Sequence, residues 1–162
     1  MRKAGLLWRS LGAVVILGMG IQIVPYGHAR INPPVHQEPT WNNSVTRDLA
    51  IRACYDCHSN QTIWPWYSQV APVSWLIQRD VDVGRRRLNF SEWDRPKQGT
   101  RNLARRIERG SMPPWYYRLM HSGAKLSDGE KQALVQGLQE TVRQNPPLPT
   151  KARGREDEGR EG

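Results

Sequence analysis

Cysteine, histidine and phenylalanine are scarce in this 162-residue chain: two, four and one, against seven tryptophans. A structural zinc site built on the two cysteines would need two further ligands at Cys or His spacing. Besides His58 only His28, His36 and His121 remain, and the first two lie in a proline-bearing stretch, so that reading lacks its ligands. A single phenylalanine is also a poor match to a plain apolar core. Hydrophobic residues make up 38%, below the usual share, and twelve prolines and fourteen glycines break regular structure. Part of the chain therefore belongs outside the core. Internal repeats and strand-like alternation are missing too, which leaves an all-α reading. The length favours one domain with appendages.

The first segment combines a basic start, Arg2 and Lys3, with an apolar run from Ala4 to Val24 broken mainly by Arg9. Residues 1–26 are predicted to be a signal anchor or a signal peptide, the second reading placing cleavage near Ala29 after Gly27-His28. Either one exports the rest of the chain, so no nucleic-acid partner is expected. Pro25, Pro33, Pro34 and Pro39 mark residues 27–43 as a linker leading away from the membrane.

The formal charge of +9 is concentrated. Between Arg85 and Arg109 stand nine basic and three acidic side chains, while the tail from Lys151 is neutral. Segment 85–109 is either a solvated face or a docking surface for an acidic partner.

Helical spacing starts near Ser44, with Val45, Leu49 and Ala53 on one stripe. A second helix is predicted from about Pro72, with Val73, Leu76, Ile77 and Val81 on one face and Gly84 as its C-terminal cap. Residues 85–100 look irregular, anchored by Leu88, Phe90 and Trp93. A third helix covers about Arg101–Arg109 and stops at Gly110, before an extended Met112-Pro113-Pro114-Trp115. Ser127-Asp128-Gly129-Glu130 is a capping box opening the last helix, whose stripe is Leu134, Val135, Leu138 and Val142. The expectation is a domain of four to five short helices over 44–143, followed by a disordered charged tail over 144–162.

The informative run is Cys54-Tyr55-Asp56-Cys57-His58. On a helical turn, positions i, i+3 and i+4 point the same way. Two thiols and an imidazole can thus face one planar ligand, the thiols adding to haem vinyl groups and the imidazole ligating iron. A thioredoxin-like pair would need a strand before the motif, and a helical pattern stands there instead. A plain disulfide leaves His58 unexplained. Cys54 and Cys57 are therefore the candidate thioether positions and His58 the proximal iron ligand. Met112, stiffened by the prolines after it, is the candidate distal ligand, with Met120 and His121 as rivals. Trp64, Trp66 and Trp115 are candidate walls of the haem pocket.

Several further runs accompany this motif: Ser-Asn at 59–60, Trp-Pro-Trp-Tyr-Ser at 64–68, Ala-Pro-Val-Ser-Trp at 71–75, Asn-Phe-Ser-Glu-Trp at 89–93 and Met-Pro-Pro-Trp-Tyr at 112–116. Together, from about Pro33 to Val142, they resemble the bacterial haem-binding domain family of small exported single-haem proteins. The helix opened by Leu126-Ser127-Asp128 is also similar to the C-terminal helix of class I cytochromes c. The resemblance implies one covalent haem c on Cys54, Cys57 and His58, with Met112 at the position of the family's Met-Pro pair. The function expected is single-electron transfer with a redox partner at the periplasmic face of the inner membrane, by a carrier rather than an enzyme. A ligand sensor or peroxidase-like protein with an open sixth position is the alternative.

Overall fold

The computed structural model describes residues 2–96 and 99–148; Lys97 and the expected tail from position 149 onward lie outside them. The first helix, α1 (Arg2–Ile21), is apolar on several sides and leaves Trp8, Leu11, Val14, Ile16 and Leu17 exposed. Among the described residues no helix is long and apolar enough to cross a membrane.

The stretch over 27–43, predicted to be a linker leading away from the membrane, packs on the domain. Gly27, at φ 84°, is buried against Ser74, where a Cβ would stand 2.7 Å from the Ser74 carbonyl oxygen. Arg85 donates to the Ile31 carbonyl at 2.8 Å, and the Asn60 side-chain Nδ2 to the Pro34 carbonyl at 2.8 Å. Gln37 forms an isolated parallel bridge with Glu92, and Trp41 packs on the core. Prolines keep this backbone extended, but its carbonyls still require partners. Side chains distant in sequence supply them, so composition alone misreads the stretch.

Asn43 starts α2 (Ser44–Ala53) by accepting a hydrogen bond from the Thr46 amide at 2.8 Å. This helix buries Thr46, Leu49, Ala50 and Ala53 and leaves Val45 exposed, correcting the predicted stripe. The chain breaks at Cys54 and re-enters a helix as α3 (Tyr55–His58). A 3-10 turn at Trp66–Gln69 leads into α4 (Val73–Arg87). The helix runs past Gly84, so that glycine is not its cap. It stands where α4 crosses the motif, and a Cβ on it would collide with the Cys57 carbonyl oxygen. Close approach of backbone, not a left-handed turn, requires glycine there.

After the irregular stretch with Leu88, Phe90 and Trp93, all buried, come a 3-10 turn at Gly99–Asn102 and α5 (Leu103–Glu108). Gly110, at φ 67°, follows it. Of the run predicted to be extended, only Pro114 is so, at φ −57° and ψ 147°. The chain bends at Met112 and Pro113, and Pro114 precedes a helix absent from the prediction, α6 (Trp115–Met120). The capping box forms as predicted: Ser127 Oγ accepts from the Glu130 amide and Glu130 accepts from the Ser127 amide at 2.8 Å, starting α7 (Asp128–Gln144).

The protein is all-α, with seven α-helices and no strand among the described residues. Six of them follow α1, more than the four to five expected, because Cys54 separates α2 from α3 and α6 had no periodic pattern to reveal it. The core joins α2, α5 and α7 around Leu49, Ile107, Leu134 and Leu138. Its centre is the lone phenylalanine: Phe90, fully buried, stacks on Tyr55 at 5.6 Å and Trp93 at 6.1 Å and meets Trp41 at 5.3 Å. Burial of one such ring contributes about 1.5–3 kcal/mol.

Candidate haem site

A cavity of about 360 Å³ opens between α3, α4, α5 and the Met112–Pro114 segment. That size is ordinary for a small-molecule site, about 300–1,000 Å³. Cys54, Cys57, His58 and Met112 all line it. Apolar walls come from Val83, Leu88, Phe90, Leu103, Ile107 and Leu134.

The motif is oriented from behind. His58 Nδ1 lies 3.0 Å from the Leu88 carbonyl oxygen, which can only accept, so Nδ1 carries the proton. Nε2 of the neutral ring then holds the lone pair, the form that ligates a metal. Burial also lowers the pKa of His58, its largest cause, opposed by hydrogen bonds to the Leu88 and Gly84 backbone. The His58 carbonyl accepts from the Phe90 amide at 2.7 Å.

A buried polar network continues this attachment. Ser91 Oγ accepts from the Asn60 amide at 2.9 Å, the Asn89 side chain donates to Asn60 Oδ1 at 2.8 Å, and Arg85 donates to the Ser59 carbonyl at 2.8 Å. Sequence reasoning treated Arg85 as one member of a basic run. Its place among buried polar groups was not visible there, although the Ser-Asn and Asn-Phe-Ser runs were the trace of the network.

Both cysteines are free thiols, and burial pushes each up to about 12. Asp56, between them, binds the motif to α6 by accepting from the Tyr117 hydroxyl at 2.6 Å and, on its other oxygen, from the Ile63 amide at 2.9 Å. The Tyr116 hydroxyl donates to Asp80 at 2.7 Å.

Trp64, Trp66 and Trp115 do not line the cavity, contrary to the expectation. Trp66 and Trp115 are exposed, and the Trp64 indole donates to Asn32 Oδ1 at 3.1 Å. The aromatic walls are Phe90, Tyr116 and Tyr117 instead. Tyr116 and Tyr117 follow Trp115 on α6, and without the helix nothing in the sequence showed which of the three turns toward the site. Met120 and His121 line a different, smaller cavity and not this one. From the basic segment, Arg86, Arg87 and Arg106 stand at the site, all exposed.

The donor set suits one prosthetic group: two thiols, an imidazole with a free lone pair and a thioether around an apolar slot are what a covalently held haem requires. No curated protein and no solved structure matches the chain. The profile of the haem-binding domain family matches residues 16–140, from the second half of α1 to the last turns of α7. On that match and on this cavity, the chain belongs to the haem-binding domain family and binds haem.

Proposed function

We propose that the protein is a monohaem c-type electron carrier. Cys54 and Cys57 would hold one haem as thioethers, each S–H adding across one vinyl group, and His58 Nε2 and the Met112 thioether would ligate its iron. The observation that carries this reading is that Met112, far along the chain, lines the same cavity as the motif, while Met120 and His121 do not. When bound, the haem supplies a one-electron iron couple, and His/Met ligation favours a raised potential.

The chain's own residues do the rest. The Leu88 carbonyl holds the imidazole in its ligating tautomer. The apolar walls from Val83 to Leu134 would limit water around a bound haem, and Arg86, Arg87 and Arg106 would provide positive charge for its carboxylates. With His58 and Met112 both ligating, the iron would have no position left for a substrate, which favours a carrier over an enzyme. The basic segment 85–109 is the docking surface for an acidic redox partner. The N-terminal segment holds the domain at the periplasmic face of a bacterial inner membrane, a reading supported by its basic start and exposed apolar side chains.

A denaturing gel stained for haem tests the reading on protein made with the maturation machinery present. The natural chain retains stain, and Cys54→Ala with Cys57→Ala loses it. A colourless natural polypeptide overturns the proposal.

A further inference from the structure

Beside the haem cavity lies a second one of about 160 Å³, and Cys57, Asp80, Tyr116 and Tyr117 line both. Its apolar lining includes Ile63, Val73 and Met120, which are also exposed. Trp66, 76% exposed, packs edge-on at 5.7 Å against Tyr67, another lining residue. Trp115, 67% exposed, does the same at 5.7 Å against Tyr116. Leu119, 65% exposed, follows Trp115 by four residues and so shares its side of α6. Large apolar side chains from three separate elements thus gather around one opening. An exposed cluster of that kind marks a contact surface rather than ordinary scatter.

Where α1 is attached indicates what covers it. The Gln22 side chain, just beyond α1, binds both backbone groups of Ala71: it donates to the carbonyl at 3.1 Å and accepts from the amide at 2.9 Å. Val70, the next residue back, is itself exposed. Tyr26 donates to Asp82 at 3.4 Å, and Gly27 packs on Ser74, so the attachment continues along α4. The apolar cluster therefore starts where α1 ends. Helix α1 has exposed apolar side chains, three basic residues (Arg2, Lys3 and Arg9) and no acidic one. Such a composition suits an anionic lipid surface. Tryptophan favours the level of the lipid headgroups, where the ring is buried and its N–H stays wet. The carboxylates lining the second cavity, Asp56 and Asp80, already accept from Tyr117 and Tyr116, which lowers the cost of placing lipid over them.

We infer that the face formed by Ile63, Trp66, Val73, Trp115, Leu119 and Met120 rests on the same lipid bilayer as α1, holding the domain in one fixed orientation to the membrane. The inference builds on the membrane attachment proposed above and adds to it a second contact, made by the domain itself.

The test uses the haem-loaded full chain on vesicles of phosphatidylethanolamine and phosphatidylglycerol whose acyl chains carry a photoactivatable diazirine. Adducts are mapped by peptide mass spectrometry after illumination. The expected result is labelling of α1 and, separately, of peptides spanning 63–76 and 115–120. Replacing exposed Trp66, Trp115 and Leu119 by serine leaves the core untouched and reduces labelling of the domain peptides several-fold, with α1 labelling unchanged. Adducts on α1 alone overturn this inference and leave the attachment standing, whether the face is bare or covered by a second copy of the chain. Adducts on neither overturn both.

Discussion

Gly84→Ala tests the close crossing of α4 over the haem motif. An added methyl would stand 2.8 Å from the Cys57 carbonyl carbon and 3.1 Å from its Cβ, with the carbonyl oxygen nearer still. The obstacle is backbone, so no rotamer change relieves it, and α4 must move off the motif. Overpacking of this kind costs about 1–3 kcal/mol. Alanine in a helix interior recovers about 1 kcal/mol relative to glycine. With backbone as the obstacle, the upper part of the overpacking range applies, about 2–3 kcal/mol. The net expectation is a loss of about 1–2 kcal/mol, or a melting temperature lower by about 2–8 °C for a chain of this length. Thermal denaturation followed by circular dichroism measures it. Gly129→Ala is the control, because nothing lies within 4 Å of a Cβ there and α7 gains up to about 1 kcal/mol. Because Cys57 moves with the motif, the Gly84 variant should also carry less covalent haem. If it melted at or above the natural protein while the control rose, the crossing would not be as tight as argued.

Met112→Ala should keep the haem attached, allow the reduced protein to bind carbon monoxide quickly and lower its potential, whereas Met120→Ala should do none of these. An unchanged spectrum after Met112→Ala would move the distal ligand to Met120 or His121. Acid titration offers a separate check. The Ser127 backbone amide and the Arg52 guanidinium hold the Glu130 carboxyl at about 2, below its usual 4.5. A carboxyl whose value is lower in the folded state stabilises the fold fully above 4.5 and loses that contribution as pH falls toward about 2. Glu130→Gln should therefore flatten the pH dependence of stability across that window, measured by urea denaturation; an unaltered slope would show that the capping contact is not maintained in solution.

Much of the chemistry was legible before the fold. The Cys54–His58 spacing pointed to haem, the Ser127–Glu130 box located the start of α7, and Met112 stood out from two other methionine and histidine candidates. These are local signals, set by helical periodicity and by which atoms a short run can present to one ligand. The misreadings share the opposite character. Val45 fits the helical period and is exposed; Gly84 fits a cap and sits under a helix crossing; Trp64, Trp66 and Trp115 have the right chemistry and lie away from the cavity.

The sequence by itself determined most of the helix-forming segments, the presentation of two thiols and an imidazole by one short run, and the concentration of positive charge at 85–109, because each depends on neighbours within a few residues. Only the tertiary structure decided that Met112 shares a cavity with His58, that Leu88 fixes the imidazole tautomer, and that residues 27–43 pack back on the domain. Those relations join positions distant along the chain. They come from buried polar groups finding partners and side chains filling volume, and no local pattern encodes either.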